Sequence, residues 1–214
     1  MTMKHLIKTS LLLLAFCLSL NAMAYDFKVD GVYYITDLWG DYAIVCDQSD
    51  DEERYSGNVT IPAAVTIDDT TYPVTKINAY AFSNCAELTG VTIPASIIEI
   101  SDHSFENCTR LSAVELPEKL AEIGSAAFEG CTAISRIDIP AGVTKIGIWA
   151  FQKCTNLTDV FSHIADPSQV DFGFNSFALE DENYSSRTLH VPAGTIQAYK
   201  VAGWDTYFGN IVEL

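Results

Sequence analysis

The sequence predicts an α/β repeat solenoid. It should hold about six coils of 23 residues, built mainly from short parallel strands and short helical turns and capped at both ends. Three observations predict it. First, Phe82, Phe105, Phe128 and Phe151 are each 23 residues apart, and Cys85, Cys108, Cys131 and Cys154 keep the same step. Second, two aliphatic columns run in register with them: Leu88, Leu111, Ile134, Leu157 and Val91, Val114, Ile137, Val160. Third, Ile93-Pro94, Leu116-Pro117 and Ile139-Pro140 repeat with the same period. A unit this short cannot bury an apolar face alone, so copies must stack and share one continuous core.

Each part of the unit has a local reading. Val91-Thr92-Ile93, Val114-Glu115-Leu116 and Ile137-Asp138-Ile139 alternate apolar and polar residues, as a strand with one buried face does. The following proline has no N–H for a ladder and ends the pairing. The stretches 97–100, 120–123 and 143–146 are apolar at i and i+3, and predict a second short extended piece across the coil. The Ala-Phe or Ser-Phe step predicts a short helical turn that drops the ring into the core.

The unit Phe-x-x-Cys-x-x-Leu-x-x-Val-x-Ile-Pro-x-x-Val-x-x-Ile, clearest from 81 to 160, resembles the leucine-rich repeats of bacterial surface antigens, the BspA-like or treponemal-type class. The resemblance implies a right-handed leucine-rich-repeat superhelix. It also implies an exported adhesion or recognition module that binds host or neighbouring-cell protein through its solenoid face. The fold class does not name a ligand.

In chain order, residues 1–24 read as a signal peptide. Lys4 and Lys8 precede an apolar run from Leu11 to Leu20, and Ala22-Met23-Ala24 is a small-x-small cleavage site. The run is too short to span a bilayer, which takes about 20 apolar residues. Export places the chain at the cell surface, outside the cell or in the periplasm. Residues 25–58 read as an N-terminal β-rich cap, with strands at 32–35 and 42–46 joined through 38–41. The acidic stretch from Asp47 to Arg54 reads as a solvated loop; a calcium site there lacks the spacing and the glycine of an EF-hand. Residues 59–192 form the leucine-rich repeat solenoid, with one insertion around Asp68 to Tyr72 turning at Asp68-Asp69. Residues 193–214 form a C-terminal cap, with Thr195 placed to N-cap a short helix that Gly203-Trp204 ends.

Composition limits the partners. The chain has 28 acids against 12 bases and a net charge of −16. Such a surface repels nucleic acid and anionic membrane and favours basic partners. Export allows disulfides, and neighbouring coils are close enough for Cys85–Cys108 or Cys131–Cys154. Parallel side chains in one column nevertheless make the torsion hard, and the column reads as a ladder of buried thiols. No Cys-x-x-Cys or His spacing suggests zinc, and no cofactor is implied. His103, His163 and His190 stand in no catalytic motif, and a Cys108–His103 dyad would lack a third group. No enzyme is expected.

Two surfaces vary while the core columns stay fixed. One is the outward strand row: Thr92, Glu115 and Asp138, with Gly90, Ala113 and Arg136 at the other outward position. The other is the column Tyr80, His103, Ala126 and Trp149 before each core Phe, where exposed rings could anchor a protein or stack on sugars. The candidate ligand-binding residues are therefore Tyr80, His103, Trp149, Thr92, Glu115, Arg136 and Asp138. A protein-binding adhesion module and a carbohydrate-binding surface protein that helps gather glycans are the two functional readings.

Overall fold

The computed structural model describes residues 25–37, 41–47, 54–179 and 184–214. The signal-peptide segment, the 38–40 connection, most of the acidic 47–54 loop and residues 180–183 lie outside the described residues. Strands β1 (Phe27–Val29), β2 (Val32–Thr36) and β3 (Ala43–Val45) form an antiparallel meander, and β3 pairs in parallel with β6 (Thr70–Ile77). The sheet continues through β8 (Glu99–Ile100), β10 (Glu122–Ile123), β12 (Lys145–Ile146) and β14 (Asp171–Phe172). These are the second extended pieces of successive coils. Ile77, Ile100, Ile123 and Ile146 are in register and fully buried.

The Val-x-Ile segments lie across the coil from that sheet. Strands β4 (Gly57–Thr60), β7 (Leu88–Thr92) and β9 (Ala113–Val114) form one parallel sheet. Strands β11 (Arg136–Ile139), β13 (Asp159–Ser162), β15 (Thr188–Val191) and β16 (Asn210–Glu213) form another. The insertion forms a hairpin in which β5 (Ala64–Ile67) pairs antiparallel with β6. Its turn residues Asp68 and Asp69 have φ of 46° and 63°, the geometry that matches the twist of a two-residue hairpin.

Between the layers runs a ladder of rings. Phe82, Phe105, Phe128, Phe151 and Phe177 are fully buried, with successive centroids 4.9, 5.1, 5.2 and 5.0 Å apart and planes within 7° of parallel. Aromatic pairs of this kind add about 0.5–1.5 kcal/mol each beyond their burial. Tyr55 covers the first ring, and Trp204 and Phe208 close the last. The predicted helical turn takes a different form. Each coil holds two left-handed residues four apart: Tyr80 and Asn84, His103 and Asn107, Ala126 and Gly130, Trp149 and Lys153. Positive φ at both points stops the backbone from propagating a helix. Among the described residues the one α-helix, α1 (Ile196–Val201), belongs to the C-terminal end. There the Thr195 hydroxyl turns back to the Pro192 carbonyl at 2.6 Å and makes no side-chain cap.

The cysteines form the second ladder. The thiols of Cys108, Cys131 and Cys154 donate to the carbonyls of Phe82, Phe105 and Phe128 at 3.1, 3.0 and 3.1 Å, binding each coil to the one before. All five described cysteines are free and buried. Burial pushes the Cys85 and Cys154 thiols up to about 12, so neither is an available thiolate. Arg187, also buried, donates to the carbonyls of Leu157 (2.8 Å), Cys154 (2.6 Å) and Phe177, spanning the last two coils.

Two outcomes follow from these ladders. Truncating Phe105 or Phe128 to Ala should cost about 3–5 kcal/mol in urea melts; a loss below about 1 kcal/mol would show that the rings do not carry the core. Alkylation should label Cys46, Cys85, Cys108, Cys131 and Cys154 in denaturant and spare them in the native protein. Linked repeat pairs in the mass spectrum would contradict a thiol ladder.

Candidate functional site

The strand face is assembled by register. One outward row runs Asn58, Gly90, Ala113, then Arg136, Asp159 and Thr188; the other holds Thr60 and Thr92, then Asp138, Phe161 and His190. Glu115 follows Thr92 and precedes Asp138 by one repeat each. The structure thus brings four of the seven sequence-derived candidates, Thr92, Glu115, Arg136 and Asp138, onto one face, with Ala113 beside them.

The C-terminal half of this face is a bonded cluster. Arg136 grips Asp138 through Nε (2.8 Å) and Nη2 (3.0 Å), and His163 approaches the same carboxylate at 3.5 Å. The Arg136 guanidinium also lies 3.7 Å over the Phe161 ring. The opposite neighbour of that ring is His190, stacked at 4.0 Å with planes 4° apart, while the His190 Nε2 meets Asp159 at 2.9 Å. Hydrogen bonds from Arg136 hold the Asp138 carboxyl below its ordinary value. His190 and then Thr158 do the same for Asp159. The Arg136–Asp138 pair is exposed and worth little in stability, while the His190–Asp159 pair is partly buried. Their effect is to fix the arrangement of charge.

Sequence reading missed Phe161, Asp159, His163 and His190. Phe161 was findable, lying 23 residues after Asp138. His190 stands outward in a recognisable strand, but the longer spacing before it hid its partner.

The N-terminal half differs. Strands β9 and β11 do not pair, so the sheet breaks between them. An open cleft of about 470 Å³ lies over the break, lined by Gly90, Thr92, Ser112, Glu115, Arg136 and Asp138 among others. Glu115 is exposed, and among the described residues its carboxylate makes no ion pair or hydrogen bond.

The second surface is split. Tyr80 is 50% exposed and stacks on His103 at 4.8 Å, and His103 meets Glu106 at 3.1 Å. Ala126 is fully buried, so the exposed column is interrupted there. Trp149 is 44% exposed, beside the exposed Ile148 and, on the next coil, Phe174 at 71%. His103 and Cys108 form no dyad, since the thiol points inward to Phe82. Among the described residues no three His, Cys, Asp or Glu converge as a metal site, and no helix is long and apolar enough to cross a membrane.

The depressed carboxyls give a pH test. A carboxyl whose folded value lies below its unfolded one adds stability above the unfolded value, about 3.9, and loses it as pH falls through the folded value. Replacing Arg136 with Gln should move the Asp138 titration upward in carboxyl NMR and leave Asp159, held first by His190, much less changed. An unmoved Asp138 would exclude Arg136 as the cause.

Comparison with known proteins agrees with this architecture. No curated protein matches the chain. Among solved structures, a leucine-rich repeat protein of T. pallidum is 28% identical with a TM-score of 0.62, covering 79% of this chain and 72% of its own. One from Bacteroides ovatus ATCC 8483 is 22% identical with a TM-score of 0.57, covering 88% of this chain; the chain spans 55% of that protein. A leucine rich cell surface protein from Faecalibacterium prausnitzii A2-165 is 24% identical with a TM-score of 0.50, over 77% of this chain and 54% of that one. The BspA type leucine rich repeat region matches residues 75–191, in 6 copies. With its ring and thiol ladders in the same register, the chain belongs to the BspA-type leucine-rich repeat family.

Proposed function

We propose that this protein is an exported, non-catalytic binding module at or outside the bacterial cell surface, and that it engages an extracellular or host protein through its strand face. The observation that carries this reading is the outward face itself. It presents a fixed Arg136–Asp138–Phe161–His190–Asp159 cluster beside an open cleft, while every core column is committed to stacking. Rigid, prearranged side chains reduce the ordering cost of association. Export rests on the charged, apolar and small-residue segments of positions 1–24. A surface location is also in keeping with the cell surface protein from F. prausnitzii.

The net charge of −16 favours a basic partner, steered over a Debye length of about 8 Å at physiological salt. A second reading, capture of carbohydrate, is favoured by Trp149, whose half-exposed ring stands one coil before the exposed Phe174, the two backbones being hydrogen-bonded. Glycan binding lost in Trp149→Ala would select it.

The protein-binding reading is tested by capture from extracellular matrix and mucus, followed by surface plasmon resonance at two salt concentrations. Association of a captured protein should slow as salt rises, with dissociation changing less. The double variant Glu115→Lys, Asp138→Lys should bind a basic partner at least about tenfold more weakly, with a melting temperature close to wild type. Equal association rates for both proteins at low salt would remove the strand face as the binding surface.

A further inference from the structure

The break between β9 and β11 is local. The Phe105–Phe128 step beneath it is 5.1 Å, no wider than the 5.2 Å step that follows, and on the far side of the coil β10 pairs with both β8 and β12. The coils have therefore not separated, and there is no room for a whole strand to be inserted. Instead β9 is reduced to two residues, and among the described residues no backbone hydrogen bond joins it to β11. Strands β7 and β9 pair through Gly90–Ala113 and Val91–Val114, whereas β11 and β13 pair over four positions. The sheet is thus interrupted at this one step, under the cleft.

The walls of the cleft add to this. Its floor is low where outward side chains would otherwise stand: Gly90 has none, and Ala113 has a methyl. Asn58 leans over Gly90 so closely that an added Cβ would lie 2.5 Å from its Oδ1. On the other side stand Arg136 and Asp138, already neutralising each other, and Glu115, which makes no ion pair among the described residues. A second cleft, lined by Lys28, Arg54 and Tyr55 among others, shares Asn58 and extends the groove toward the N-terminal meander.

These features select among ligands. A sugar ring would need an aromatic face, but Phe161 has its neighbours Arg136 and His190 stacked on it. A cleft continued along the face by a second one matches a segment laid across the coils, and an exposed carboxylate in it matches a cationic side chain. We infer that the groove over the β9–β11 break holds an extended polypeptide segment of the partner protein, which sets a lysine or arginine side chain against Glu115. This rests on the strand-face reading above and names the kind of segment that face accepts.

The test uses the full mature chain and a phage-displayed library of random 12-residue peptides. Selection on wild type should enrich peptides with a central Lys or Arg. Synthetic versions should bind at least about tenfold more weakly to Glu115→Gln and to Ala113→Trp, which fills the floor. Glu118→Gln removes the same charge from an exposed position outside the cleft and should leave binding unchanged. A melting curve checks that Ala113→Trp is folded; if it is not, Glu115→Gln against Glu118→Gln decides. Equal binding to these two variants would overturn the inference, because it would reduce the preference to bulk charge. So would selected peptides with no excess of Lys or Arg, or protection of the cleft amides by neutral glycans alone. If a captured protein is lost on Glu115→Lys, Asp138→Lys but unaffected by Glu115→Gln and Ala113→Trp, this inference fails and the strand-face reading stands. If no captured protein responds to either set, both fail.

Discussion

Everything in this molecule depends on one coil resting on the next at about 5 Å. That spacing is the distance at which a backbone ladder closes and at which flat rings meet face to face. The buried phenylalanines and the parallel strands of the long sheet therefore impose the same repeat from opposite sides of the coil. The thiols add a third tie, each reaching back to the phenylalanine carbonyl of the coil before. No coil could hold this arrangement alone, since a single ring or thiol would have no partner.

A stack has two ends, and each exposes what the interior satisfies. At the first end Tyr55 covers the Phe82 ring, and its hydroxyl accepts from the Tyr33 amide at 2.9 Å. At the other end Trp204 and Phe208 cover Phe177, while Arg187 takes up turn carbonyls of the last coils. Burying a guanidinium is costly unless its donors are met. Here three main-chain oxygens meet it, where an apolar plug would have left them unpaired.

The strand face inherits its geometry from the stack and its chemistry from the residues the stack leaves free. Two pairs convert an acidic sequence into a face of mixed, fixed charge: Arg136 with Asp138 along one strand, and His190 with Asp159 across coils. The column before each phenylalanine is constrained in another way. Its residues sit at φ of 52° to 62°, a conformation that suits Asn or Gly better than an aromatic residue. Four residues further on, the second left-handed column carries Asn84, Asn107 and Gly130, residues such a backbone favours, and then Lys153. The first two residues of the first column, Tyr80 and His103, stack on each other.

How much was legible follows from where each feature is encoded. The 23-residue period determined the core columns and the two extended pieces of each coil, and the residues in those columns carried the resemblance to the family. The nine extra residues between Pro62 and Pro94, with Asp68-Asp69 as the turn, announced an insertion that would project as a loop or short hairpin, and the structure makes it a hairpin. These are properties of spacing within the chain, and a periodic sequence states its spacing directly. The left-handed turns, the break between β9 and β11, the burial of Arg187 and of Ala126, and the pairing of His190 with Asp159 were decided only by the tertiary structure. Each depends on which residue of one coil lies against which residue of the next. That register is irregular wherever an insertion lengthens a coil, as it does before His190, and wherever one strand is too short to pair, as β9 is. The sequence could therefore place Glu115, Arg136 and Asp138 on one face, but only the packed coils decided which carboxylate is held by a neighbour and which is left unpaired.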